Sequence, residues 1–342
     1  MGRRNPVPPV AADPVLTDLT PGQRLRRLEL TVTRRLDGLL HGERHGLLPG
    51  PGSEPAGSRE YRPGEDEVRR MDWSVTARTA VPHVREVDAD RELTTWLLVD
   101  ASPSMEYGTA ELDKRELAVA AVATIGFLTA GPGNRLGAQV LTPYGLHRVP
   151  ARGGRTHLLG LLRALLAAPR AGDDPDVGPR AAPVAGLPDA LPDALAEVRR
   201  VAHRRGLVVV VSDFLDGLPD DPRCPARWER ALRQLTVRHQ VLAVEVTDPR
   251  ELELPDVGLI TLVDPETGEH REVWTGDRHL RERYAAAAAA QREQVRDALR
   301  RAGATHLALR TDRDWTVDIV RHVHAQRRLV AAAATSHRGG TA

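Results

Sequence analysis

The chain contains one cysteine, Cys224, and one lysine, Lys114, in 342 residues, and aromatic side chains make up only 3% of it. A lone cysteine allows neither an internal disulfide nor a thiolate metal cluster, so nothing requires an oxidising compartment or redox chemistry. No uninterrupted apolar stretch is long enough to cross a bilayer. Arg3-Arg4 is followed by a proline-rich polar segment that lacks the apolar core of a signal peptide. The expected location is therefore cytoplasmic, with no membrane span. An excess of one charge is also missing: 48 basic residues face 47 acidic ones, for a net charge of +1, which gives no global field directed at nucleic acid or an anionic membrane. Arginine supplies nearly all the basic residues and alanine is abundant, a bias that reads as a GC-rich coding sequence and carries no implication of phosphate binding.

What is present is the composition of a globular protein, 41% hydrophobic and 28% charged. Residues 1–22 read as a disordered arm and 329–342 as a flexible tail. Between them, 23–91 form a charged N-terminal segment that opens with a helix expected over Leu25 to Leu40. Residues 92–328 carry the alternation of apolar strands and amphipathic helices that marks βαβ units. Trp96 to Val99, Leu207 to Val211, Val241 to Val246 and His306 to Leu309 lack polar alternation, as expected of central strands covered on both faces. Leu136 to Leu141 and Gly145 to Val149 resemble an antiparallel hairpin at the sheet edge. Leu158, Leu161, Leu162, Leu165 and Leu166 form one helical stripe, as do Leu117, Ala121 and Ile125. A flexible insertion is expected over about 168–187, and a late hairpin over Leu259 to Val263 and Glu272 to Trp274. The expected fold class is α/β: three layers around a mostly parallel sheet of about six strands, with an N-terminal extension.

In an open parallel sheet, ligands collect outside the carboxyl ends of the strands. Asp100-Ala101-Ser102-Pro103-Ser104 follows the first apolar strand, Asp213 follows Leu207 to Val211, and Thr156 follows Gly153-Gly154 before a helix. These are the oxygen donors that a hard cation prefers, with Mg2+ (or Mn2+/Ca2+) as the expected ion. Few anionic ligands would leave the ion electron-poor, so an acidic side chain of another protein could complete its sphere. Taken singly, each piece has a plainer meaning: Ser102 and Thr156 as helix caps, Asp213 as a turn former. Their conjunction at one predicted rim favours the metal site.

The pattern Asp100-x-Ser102-x-Ser104, Thr156 and Asp213 resembles the metal-ion-dependent adhesion site of von Willebrand factor A domains. Arg59 to Asp66, Arg69 to Trp73, Thr76 to Thr79 and Pro82 to Arg85 are similar in order to the signature of the bacterial family catalogued as domain of unknown function 58, over about 24–328. Gly64-Glu65-Asp66 stands where that family usually has Gly-Asp-Asp, which keeps the charge. Many relatives carry membrane helices ahead of this region and none is expected in this sequence, so membrane attachment is not carried over. The resemblance implies a von Willebrand factor A-like domain acting as adaptor or co-chaperone for a MoxR-type AAA+ ATPase, or binding that ATPase's client. Tyr61, Arg62, Gly64, Asp66, Arg69, Asp72, Trp73 and Arg78 form a candidate partner-binding segment. The competing role is structural, with Trp73 buried as most tryptophans are.

Three rival readings have less support in the sequence. A metal-dependent hydrolase of phosphatase type would need a second carboxylate two residues after Asp100, where Ser102 stands, and a lysine on the phosphate, whereas Lys114 is expected to be solvent-exposed at a helix start. With no Walker loop, ATP hydrolysis would belong to another chain. Zinc could use His41 and His45, or His322 and His324, but neither pair has the accompanying glutamate or cysteines. The arginine clusters at 199–205 and 296–301 lack interleaved aromatics, so nucleic acid is not an expected partner. No catalytic constellation is found.

Overall fold

The computed structural model describes residues 58–61, 68, 71–85, 93–110, 112–129, 131, 133–170, 190–263 and 269–338. The helix expected at Leu25 to Leu40, the insertion at 168–187 beyond residue 170, His41 and His45 lie outside the described residues. In chain order the elements are β1 (Ser58–Glu60), α1 (Trp73–Thr79), β2 (His83–Arg85), β3 (Thr94–Asp100), a 3-10 turn (Pro103–Glu106), α2 (Lys114–Thr129), β4 (Arg135–Thr142), β5 (Gly145–Arg152), α3 (Arg155–Leu166) and α4 (Ala190–Val201). They continue with β6 (Leu207–Ser212), α5 (Glu229–Thr236), β7 (Gln240–Thr247), α6 (Pro249–Leu252), β8 (Leu259–Val263), β9 (His270–Trp274), α7 (Arg278–Ala302), β10 (Thr305–Arg310) and α8 (Trp315–Arg338).

A six-stranded sheet in the order β10-β7-β6-β3-β4-β5 forms the centre. Its first five strands pair in parallel, and only β5, paired to β4, runs the other way. The unbroken apolar runs follow from helices on both faces. Leu97 and Val99 of β3, Val209 and Val211 of β6, and Leu242, Val244 and Val246 of β7 pack on one side with α2, α3 and α8. Trp96 and Leu98, Val208 and Val210, and Val241 and Ala243 point to the other side, against α4, α5 and α7. Alternate residues of a strand therefore enter different cores, with Gln139 of β4 and Glu245 of β7 as buried polar exceptions within the strands.

The leucine stripe of α3 is buried at Leu158, Leu161, Leu162 and Leu165, and α2 is buried nearly all round. β5 closes the edge of the sheet, where Pro150 removes no needed ladder donor. The late hairpin forms as β8 and β9 but stands as a separate two-stranded sheet. A third two-stranded sheet pairs β1 with β2. No helix among the described residues is long and apolar enough to cross a membrane.

Candidate functional site

Every parallel strand of the sheet ends at one rim, and three of them deliver a buried aspartate there. Asp100 is the last residue of β3, Asp213 follows β6 directly, and Asp248 follows β7; all three are almost fully buried. Asp100 is held by two donors. The Ser102 N–H donates to Oδ1 at 3.0 Å and the Ser212 hydroxyl to Oδ2 at 2.6 Å. Ser102 and Ser104 place their hydroxyl oxygens 3.2 Å apart. Pro103 at the start of the 3-10 turn fixes the backbone between them.

Asp213 is oriented by a turn in which Phe214 takes a left-handed φ of 58°. That conformation is costly for a bulky side chain. It is offset by complete burial of the Phe214 ring, which meets Trp228 edge-on at 5.3 Å. The turn also lets the Phe214 N–H donate to Ser212 Oγ and the Leu215 N–H to Asp213 Oδ1. Arg292 of α7 donates to the Asp213 carbonyl at 3.1 Å and to Glu245 at 3.1 Å.

Lys114 corrects the sequence expectation. It is fully buried, not solvent-exposed, and its Nζ donates to Asp213 Oδ2 at 2.8 Å and to Glu251 Oε1 at 2.6 Å. Burial works against its charge, but the Asp213 and Glu251 carboxylates outweigh it and raise the lysine pKa. Burial likewise works to raise the Asp213 pKa, yet the Lys114 ammonium prevails and holds that carboxyl below its ordinary range. Among the described residues no cation pairs with Asp100 in this way. Burial first, and then the nearby Asp213 charge, push its carboxyl up to about 6.

Thr156 is the second correction, because the predicted five-residue constellation does not assemble. β5 is antiparallel, so it descends from Gly145, opposite Thr142, to Arg152, opposite Leu136. α3 therefore starts at the amino edge of the sheet. There Nε2 of His157 lies 2.8 Å from the Leu136 carbonyl, and a Cβ on Gly153 would meet the Asn134 carbonyl at 3.0 Å. Leu141 of β4 pairs with Asp100. The five residue steps between Leu136 and Leu141 put Thr156 roughly 17 Å from the rim. Thr156 exposes its side chain next to a cavity of about 760 Å³ lined by residues of that edge, not to the ion site.

Asp100, Ser102, Ser104 and Asp213 do come together, and their chemistry can be tested against a divalent ion. Two ligands at right angles on an ion with bonds near 2.1 Å lie about 3.0 Å apart; the separation of the Ser102 and Ser104 oxygens fits such a pair. A buried carboxyl displaced to about 6 is a group short of positive charge. These residues fit a hard cation ligated by two hydroxyls and Asp100, with Asp213 behind and engaged by Lys114. Among the described residues no group of three or more His, Cys, Asp or Glu side chains is arranged to hold a metal, so any ion here depends on the hydroxyls.

The rim has further members that the motif did not reveal. Asp248 accepts hydrogen bonds from Thr109 N at 2.9 Å, Thr109 Oγ1 at 2.6 Å, Thr311 Oγ1 at 2.7 Å and Arg250 N at 2.9 Å. It also forms a capping box with Glu251, whose second oxygen accepts the Asp248 N–H. Asp248-Pro249-x-Glu251 after an apolar strand is a legible helix-start signature. It shows why Glu251 stands where it can meet Lys114.

In the N-terminal segment, Asp72 caps α1 through the Ser74 and Val75 N–H groups. Tyr61 is half-buried and Arg78 exposed. Trp73 is 65% exposed, against the burial expected of a structural lap. Arg62, Gly64, Asp66 and Arg69 lie outside the described residues.

A sheet of five parallel strands and one reversed edge strand, covered by helices on both faces and with Asp100, Ser102, Ser104 and Asp213 gathered at its carboxyl rim, defines a three-layer α/β domain. Residues 57–294 match the family described as "Protein of unknown function DUF58", a narrower range than the 24–328 expected, and the chain belongs to that family. It is 51% identical over 304 residues to an uncharacterized protein of Mycobacterium tuberculosis (strain ATCC 25618 / H37Rv), with 89% of each chain covered. Among solved structures, the conserved hypothetical protein BatB from Bacteroides thetaiotaomicron is similar at 12% identity and a TM-score of 0.36, over 69% of this chain and 99% of BatB. The SpRpn10 VWA domain is similar at 10% identity and a TM-score of 0.34, over 67% and 94%.

Proposed function

We propose that this protein is a metal-dependent interaction module in which Ser102, Ser104 and Asp100 hold a divalent cation, Mg2+ (or Mn2+/Ca2+), at the sheet rim. The single observation behind this is the Ser102–Ser104 hydroxyl pair at 3.2 Å beside a buried Asp100 that pairs with no cation among the described residues. When bound, such an ion supplies positive charge and a coordination place that an acidic side chain of another protein can take. Ser102 and Ser104 offer neutral oxygens, and Ser212 together with the Ser102 N–H aims Asp100. Lys114 neutralises Asp213. The partner suggested by family resemblance is a MoxR-type AAA+ ATPase or its client, since this chain has no phosphate-binding loop of its own.

Affinity capture from native lysate, with and without chelator, tests this. An ATPase retained by wild type, released by chelator and absent with Ser102→Ala/Ser104→Ala supports the module. Retention unaffected by chelator and by the double variant refutes it.

One observation favours a second reading, a phosphatase-type hydrolase, because Lys114 reaches the aspartate cluster after all. The other objection stands: the position two residues after Asp100 is Ser102, which has no carboxylate to move a proton. Turnover of p-nitrophenyl phosphate with Mg2+, lost in Asp100→Asn, would favour the hydrolase.

A further inference from the structure

We propose that the Lys114 ammonium sets the strength of the rim's ion site by holding Asp213 in reserve, so that a divalent cation there faces Asp100 as its one directly available carboxylate. This rests on the ion-binding reading above and specifies the residue that tunes it.

Lys114 is the one lysine in a chain whose other 47 basic Lys and Arg residues are arginine. Its position is fully buried and closed on both sides by carboxylates. Asp213 Oδ2 lies at 2.8 Å and Glu251 Oε1 at 2.6 Å. An ammonium is compact and can be bracketed in this way, whereas a planar guanidinium carries a wider fork that needs more room. Neither carboxylate is free to swing away, because Asp213 Oδ1 accepts the Leu215 N–H and Glu251 Oε2 accepts the Asp248 N–H.

The cluster of buried Asp100 and Asp213 and partly buried Glu251 against Lys114 thus carries two net negative charges, which a divalent ion would balance. Without the ammonium the same cluster would carry three, and Asp213 Oδ2 would become available as a second anionic oxygen. Lys114 therefore weakens ion binding, and it leaves the bound ion poorer in electrons and more receptive to a carboxylate from outside. Glu251 acts in the opposite sense: it adds negative charge next to the ammonium and draws it from the ion.

Titration of the full-length protein with Mn2+, following free ion by electron paramagnetic resonance, distinguishes the possibilities. Wild type, Lys114→Met, Glu251→Gln and Asp100→Ala are compared, with near-ultraviolet circular dichroism to verify folding. Lys114→Met is expected to bind Mn2+ about tenfold more tightly than wild type or better, and Glu251→Gln several-fold more weakly. A gain of affinity is not a result that loss of structure produces. If Lys114→Met fails to fold, Glu251→Gln decides, because glutamine keeps the capping hydrogen bond while removing the charge. Binding that is lost in Asp100→Ala but unchanged or weaker in folded Lys114→Met, or unchanged in Glu251→Gln, overturns the role of Lys114 and leaves the ion site standing. Absence of Asp100-dependent Mn2+ binding in wild type, Lys114→Met and Glu251→Gln alike removes the ion site and this inference with it.

Discussion

Replacing Asp100 by asparagine removes a buried charge that pairs with no cation among the described residues, and the expected result is a more stable protein. The carboxyl rises from 3.8 to about 6 on folding, through burial and then through Asp213. At about 1.4 kcal/mol per pKa unit, holding it ionised costs about 3 kcal/mol. Asparagine keeps an acceptor for the Ser102 N–H and can donate to Ser212 Oγ, but it gives up charge-assisted bonds worth about 1 kcal/mol. Asp100→Asn is thus expected to gain about 2 kcal/mol at pH 7.5 in chelator. The pH dependence has a definite sign. Asp100 binds its proton more tightly in the folded chain than in the unfolded one, so its stabilising contribution is complete below pH 3.8 and lost as pH rises through about 6. Asp213, which shares the Asp100 field, is held below its ordinary range by Lys114 and is only relieved of a like charge in the variant, so the stability difference should be near zero at pH 4 and open by pH 7 as Asp100 ionises. Urea denaturation across that range measures it. Saturating Mg2+ at 100 times its dissociation constant should return about 2.7 kcal/mol to wild type and nothing to the variant. A variant less stable than wild type at pH 7.5, or a gap that does not change between pH 4 and 7, would refute the electrostatic account of Asp100.

Thr156→Val should leave Mn2+ binding unchanged, since Thr156 sits at the amino edge of the sheet; a loss measured by the same titration would return it to the site. Asp248→Ala should cost about 3 kcal/mol in urea denaturation by leaving the donors of Thr109, Thr311 and Arg250 without their acceptor. Asp248 keeps its proton less tightly when folded, because these hydrogen bonds overcome the effect of burial. Its share of stability is therefore present at neutral pH and lost on acidification, and Asp248→Ala should show a shallower acid limb. Gly206→Ala puts a Cβ 2.1 Å from the Thr94 carbonyl oxygen, a backbone clash that β3 and β6 cannot relieve separately. About 2 kcal/mol or more of lost stability is expected by thermal melting.

The central strands were legible because burial on both faces leaves nearly unbroken apolar runs, as at Leu207 to Val211 and, apart from the Arg292-paired Glu245, at Val241 to Val246. Asp100 and Asp213 were legible for the complementary reason: the first polar residue after such a run falls at the rim. Thr156 was misplaced by applying the rule of carboxyl ends across an antiparallel strand. The hairpin of Leu136 to Leu141 with Gly145 to Val149 was itself readable, and a chain that turns back through β5 must begin its next helix at the opposite edge. Lys114 was misjudged because its burial depends on carboxylates 99 and 137 residues further along the chain. The available signal was compositional: where arginine has taken every other basic position, a surviving lysine marks a place that needs the smaller cation. The exposure of Trp73 had no sequence signal at all, since indole counts alike for core and for surface.

Asp248 carries an implication for anyone who would transplant this rim. Its carboxylate moors Thr109, from the loop after β3, to Thr311, from the loop after β10, across the intervening ends of β6 and β7. The loops of the rim thus behave as one tile and not as separate fingers. A graft of residues 100–113 onto another scaffold would arrive with Thr109 untethered, and the pair of hydroxyls at Ser102 and Ser104 would lose the frame that keeps them in register.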